Sequence, residues 1–114
     1  RGGAASGARV HRMPNLLEWS ERLPHACRVV VLDLAGVERL DANAALELRA
    51  LLARFASQGR RLVISGISND QFTRLRHWGA GEYLVPANTC PDLELAIARA
   101  FNLLAEAAHD STFR

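Results

Sequence analysis

The sequence contains no lysine: all 14 basic residues are arginines. That removes Schiff-base catalysis and the lysine of a phosphate-binding P-loop from consideration. Cysteine is nearly as sparse. Cys27 and Cys90 are too few for a disulfide framework and lack the spacing of a zinc site, so a reducing compartment is the simpler setting. The histidines His11, His25, His77 and His109 never fall at a metal-ligand spacing on one helix face, and no metal site is expected. No apolar run approaches the roughly 20 residues that cross a bilayer, and the N-terminus lacks the apolar core of a secretory signal, so the segment is expected to be soluble. The net charge is only +2, with arginines scattered from Arg9 to Arg99 rather than grouped. A nucleic-acid partner is therefore not expected.

What remains is an ordinary globular composition: 114 residues, 49% hydrophobic and 23% charged. One core in one domain is the expectation. The small residues of RGGAASG make 1–8 a flexible linker or expression remnant, the folded domain is expected over 9–108, and the periodic pattern fades into a frayed tail at 109–114.

In PNLLEWSERLP, Leu16, Trp19 and Leu23 make one helix stripe bracketed by Pro14 and Pro24. RVVVLDL at 28–34 is a continuous β-branched run and reads as a central strand buried on both faces. From Ala42 to Gln58 the pattern is helical, with Leu48, Leu51, Leu52 and Phe55 on one face and Gly59 ending the helix. RLVISGI at 61–67 is a second strand. Ser68 with Gln71 forms a capping box for a short helix whose stripe is Phe72, Leu75 and Trp78, closed by Gly79. EYLV at 82–85 reads as a third strand. A last helix starts near Cys90 with Pro91 in its first position, and Leu93, Ile97, Ala100, Phe101 and Leu104 share a face.

Strands alternating with helices predict an α/β fold, a sheet of mainly parallel strands with about four helices. The turns at 36–43, 67–70 and 86–90 then share the rim where open α/β sheets bind their ligands. Cys27 and Cys90 fall at opposite rims, so no disulfide joins them.

Two carboxylates invite a chemical role. Asp33 lies within the central strand, as in the phosphoacceptor strand of a response-regulator receiver. The acidic pair and the lysine that a receiver needs are both missing, which leaves a carboxylate satisfied by neighbouring N–H groups or by water. Asp41 stands directly before a helix and is expected to cap it, worth about 0.5–2 kcal/mol over alanine. Glu38 and Asp41 read as loop charge and cap rather than as an acid/base pair. No catalytic residue emerges, and the chain is not expected to be an enzyme.

Taken together, VVVLDLAGVERLDANAALEL, SQGRRLVISGISNDQFTRLRHWGAGEY and PDLELAIARAF resemble, in order and spacing, the STAS domain shared by sulfate transporters and anti-sigma-factor antagonists. The resemblance implies a STAS-like fold. In the antagonists an aspartate is followed by a phosphorylated serine or threonine, in a pattern like Asp-Ser-Ser-Gly. Here Asp41 takes the aspartate, Ala42 the next place, Asn43 the phosphoacceptor and Ala44 the small residue. Asparagine is not a substrate for a serine kinase, so switching by phosphate charge is absent at this site.

That change is closer to the C-terminal STAS domain of a SulP-type anion transporter. The resemblance then implies a non-catalytic regulatory and assembly domain on the cytoplasmic side of the bacterial inner membrane. Its partners would be its own transmembrane domain or a second protomer, with no cofactor. The alternative is a free-standing partner-switch protein, or a STAS component of a lipid-transport complex, lacking the phosphoacceptor. Residues Asp41, Ala42, Asn43 and Ala44 are the candidate contact for a partner, and offer a weak place for an anion or nucleotide phosphate at the helix start. The family's usual first hairpin is reduced here to at most one short strand in ASGARVHRM, which leaves a sheet edge open to pairing.

Overall fold

In the computed structural model, which describes residues 5–9, 16–37, 41–80 and 83–112, the run VVVLD is buried at every position. It forms β2 of a sheet whose strands are β1 (Ala5–Arg9), β2 (Val29–Asp33), β3 (Arg61–Ser65) and β4 (Thr89–Cys90), in the order β1-β2-β3-β4. All three pairings are parallel, with Val31 opposite Gly7 on one side and Val63 on the other. Four helices accompany the strands: α1 (Leu16–Ser20), α2 (Ala42–Gln58), α3 (Asn69–Leu75) and α4 (Leu93–Thr112).

Successive strand residues point to opposite faces, and the core divides accordingly. Val30, Leu32, Leu62 and Ile64 join Leu16, Leu48, Leu51, Phe55 and Leu75 beneath α1, α2 and α3. Val29, Val31 and Val63 join Ala96, Ala100 and Leu103 beneath α4. Each fully buried leucine or phenylalanine contributes about 1.5–3 kcal/mol, so the α2 face, which holds most of the large buried side chains, carries the greater part of the burial.

Local chemistry sets the helix ends. Gly59 takes the left-handed conformation (φ 72°) and its N–H closes α2 on Ala56 and Phe55 carbonyls. The capping box of α3 is complete: Ser68 Oγ accepts from Gln71 N–H at 3.1 Å and Gln71 Oε1 accepts from Ser68 N–H at 2.8 Å. At the start of α1 the Leu16 N–H is taken by Glu47 Oε1 of α2 at 2.8 Å, which ties the two helices together.

Several elements differ from the sequence reading. Of the strand expected at 82–85, Glu82 lies outside the described residues and Tyr83, Leu84 and Val85 lie outside the sheet; Pro86–Asn88 make a 3-10 turn, and β4 follows at Thr89. Its place is set by pairing with Ile64 and Ser65, not by local apolarity. The turn 86–88 thus precedes β4 instead of leaving it. Helix α4 begins at Leu93, with Asp92 Oδ1 accepting the Leu95 N–H at 2.9 Å, not at Pro91. It continues to Thr112, through most of the expected frayed tail. Ala5–Arg9, mostly within the presumed linker, joins the sheet because pairing with β2 satisfies its backbone.

The third helix also stops early. After Leu75 the chain enters a π-helical turn over Arg76–Ala80, broken at Trp78 (φ −86°, ψ 16°) and Gly79 (φ 105°). Trp78 nevertheless packs on the α2-side core, as do Trp19 and Leu23. The turn following α1 bonds Leu23 N–H to Ser20 O, so the helical stripe persists beyond the five-residue α1.

Candidate functional site

The junction between β2 and α2 is built from both ends. Leu34 N–H donates to Ser65 O at 2.9 Å as the strands finish, and Val37 N–H turns back to Leu34 O at 3.0 Å. Glu38 lies outside the described residues. The chain then enters α2 at Asp41, which has extended backbone angles and caps the helix: its Oδ1 accepts the Ala44 N–H at 3.0 Å. A short carboxylate at this position takes one of the N–H groups that an α-helix leaves without an internal partner.

Asp41, Ala42 and Asn43 are exposed, whereas Ala44 is only 3% exposed and belongs to the core. The four candidate residues therefore separate into three on the surface and one beneath it. Leu46 is 54% exposed, one turn beyond Ala42 and Asn43, and extends their surface with an apolar side chain.

On the α4 side of the sheet, Asp33 is 5% exposed and its Oδ1 accepts from Ala35 N–H and Ser65 Oγ, each at 3.1 Å. This is a carboxylate held by the structure around it, with a serine hydroxyl consumed as donor. Gly66 makes the geometry possible: at φ 81°, a Cβ there would stand 2.6 Å from Ala35 N. Among the described residues, no group of three or more His, Cys, Asp or Glu is placed to hold a metal ion.

Cys27 and Cys90 are both free and buried. Cys27 precedes β2 at the amino end of the sheet and Cys90 ends β4 at the carboxyl end. Burial pushes both thiols up; Arg60 opposes this at Cys27, while at Cys90 Asp92 adds to it and Arg99 opposes it.

A family model described as "Mlab, STAS domain" matches residues 3–86. The chain belongs to this STAS domain family. Two solved structures share the fold. A sulfate transporter family protein from Wolinella succinogenes superposes with a TM-score of 0.77 at 20% identity, covering 92% of this chain and 90% of that one. The SulP transporter STAS domain from Vibrio cholerae superposes with a TM-score of 0.71 at 17% identity, covering 90% and 85%. No curated protein matches the chain.

Two features of this STAS domain escaped the sequence reading. One is a hollow of about 450 Å³ between α2, β3 and the segment 83–89. The other is the outer side of α4. Ile97 and Phe101, expected on the core face, are 42% and 66% exposed, and Leu95 is 52% exposed. The face that packs on the sheet is Ala96, Ala100 and Leu103, flanked by Leu93 and Leu104. The alanines were the available signal, since small side chains let a helix approach a sheet closely.

Proposed function

We propose that this STAS domain is a non-catalytic regulatory and assembly module of a membrane anion transporter of the sulfate type, acting through protein–protein contacts. The observation that carries the reading is the start of α2. Asn43 is exposed where the resemblance places the phosphoacceptor, Asp41 is engaged as a cap, and none of residues 41–44 bears a hydroxyl. A surface that no serine kinase recharges suits a constitutive contact better than a phosphorylation switch. The fold shared with a sulfate transporter family protein and a SulP transporter domain supports the same reading.

In this reading the module lies on the cytoplasmic side of the bacterial inner membrane. It packs its Asp41, Ala42, Asn43 and Leu46 surface against its own transmembrane domain or that of a second protomer, without a cofactor. Among the described residues no helix is long and apolar enough to cross a membrane. The N–H groups at the start of α2 also offer a weak site to an anion or nucleotide phosphate, weakened by the neighbouring Asp41 charge. Calorimetric titration with sulfate and with GTP tests that site, and absence of heat removes it.

A second reading, a STAS component of a lipid-transport complex, rests on the family model, whose description names Mlab. Transport measurements on the full gene product in its host separate the two. Leu46→Glu, an exposed substitution, is expected to reduce sulfate uptake without lowering the amount of protein in the membrane. Uptake unchanged by Leu46→Glu and by deletion of the domain overturns the anion-transporter reading; a phospholipid-transport defect in the same strains establishes the second.

A further inference from the structure

Leu52 and Phe55 of α2 and Leu62 and Ile64 of β3 line a hollow of about 450 Å³, with Tyr83 and Leu84 on its far wall. This lies within the roughly 300–1,000 Å³ typical of small-molecule sites. The hollow follows from the brevity of β4. Because the β3–β4 ladder starts only at Ile64 and Thr89, residues 83–88 pass the edge of β3 without forming a strand.

One end of the hollow, at residues 59–61, is cationic. The Arg60 guanidinium lies over the Phe55 ring, 5.9 Å from its centroid, and donates through Nη2 to Pro24 O at 2.9 Å. Arg61, at an exposed position, lines the same end. Arg22, Arg54 and Arg99 each pair with a carboxylate, whereas among the described residues neither Arg60 nor Arg61 does. Asn88, 8% exposed, also lines the hollow; its Oδ1 accepts from Arg99 Nε at 2.7 Å, which leaves the Nδ2 hydrogens as donors for a ligand.

An apolar trough with guanidinium groups at one end is complementary to an anion with an apolar body. An added peptide strand fits less well. The edge of β3 is already faced by the turn Pro86–Asn88, in which Asn88 N–H is committed to Val85 O at 2.9 Å and proline has no N–H to give.

We propose that this hollow binds a small amphiphilic anion, an acyl chain or apolar ring bearing a single carboxylate or phosphate. The head lies at Arg60 and Arg61 and the body along Leu52, Phe55 and Leu62. The site is separate from the α2 start and does not depend on which transport system the domain serves.

The test is titration of the full chain with decanoate, decyl phosphate and neutral decanol, followed by amide NMR. Both anions shift the Gly59, Leu62 and Tyr83 signals, and decanol binds at least ~10-fold more weakly. Arg61→Gln, at an exposed position, weakens both anions about tenfold without altering decanol binding or the melting temperature. Arg60 is buried and bonded to Pro24, so Arg61→Glu serves as the second variant and abolishes anion binding. Absence of shifts up to ~10 mM ligand, equal binding of decanol, or shifts centred on Ile97 and Phe101 overturns the proposal. Vesicles of phosphatidylglycerol in phosphatidylcholine distinguish a lipid surface from a free ligand: sedimentation with them in the absence of decanoate binding also overturns it.

Discussion

Asp33 and Ser65 stand opposite each other where β2 and β3 end, and the serine hydroxyl donates to Asp33 Oδ1 at 3.1 Å. Both residues are at most 5% exposed, so little water is at hand to replace that bond. Ser65→Ala is therefore expected to destabilise the domain by about 1–3 kcal/mol, the usual consequence of leaving a buried polar group short of a partner. Urea denaturation of the variant beside the parent measures it. A change within the noise would show that the carboxylate draws its support elsewhere.

The same strand ends approach so closely that only glycine fits at position 66. Besides its positive φ, a methyl group there would meet Ala35 N at 2.6 Å and Ala35 Cβ at 2.7 Å. Gly66→Ala combines backbone strain with a backbone clash and is expected to cost at least about 2 kcal/mol. Gly59→Ala has a left-handed residue but no such clash, since its nearest neighbour is the end of the Arg28 side chain at 4.0 Å. It is expected to cost only about 1 kcal/mol. Paired thermal melts of the two variants separate the steric contribution from the conformational one.

Burial raises both cysteine thiols above their ordinary value of 9.0. As pH climbs through that value, the unfolded chain loses these protons first and the folded chain retains them. The unfolded state then binds fewer protons, and stability falls with rising pH from about 9 toward the folded-state values, with no effect below. Urea midpoints at about pH 7 and about pH 10 are expected to differ for the parent, and to differ less for the Cys27→Ala, Cys90→Ala double variant. In the native state both thiols should react with iodoacetamide far more slowly than in denaturant, because thiolate and access are both scarce.

The parts legible in the sequence were those whose cause is local. Asp41, Gly59 and the Ser68–Gln71 box each act within a few residues, and each stands where the helix ends. The parallel α/β order was legible too, because VVVLD and RLVIS are apolar enough to demand burial on both faces. What escaped depends on distant partners. YLV at 83–85 has strand chemistry, yet the ladder on β3 is taken by Thr89 and Cys90. Ile97 and Phe101 share the helical period of Ala100, but the rotation of α4 follows from Ala96 and Ala100 seating against Val29, Val31 and Val63. The hollow was invisible for the same reason, being assembled from α2, β3 and the segment before β4.

Asp41 and Asn43 separate structural from functional roles at the candidate surface. The Asp41 carboxylate accepts the Ala44 N–H at 3.0 Å, so Asp41→Ala is expected to lose about 0.5–2 kcal/mol of stability, and Asp41→Ser or Asp41→Asn to recover most of it. Asn43 is exposed and makes no contribution to the cap, so Asn43→Ser should leave the urea midpoint unchanged within about 0.5 kcal/mol. The serine variant supplies the hydroxyl that the switch position lacks. If only the acceptor has been lost, a partner kinase from the host phosphorylates Asn43→Ser and the added charge weakens partner binding. If the surface serves as a constitutive contact, the variant stays unmodified and binds as the parent does. Phosphate incorporation and partner affinity, measured on the same preparation, decide between these outcomes without reference to stability.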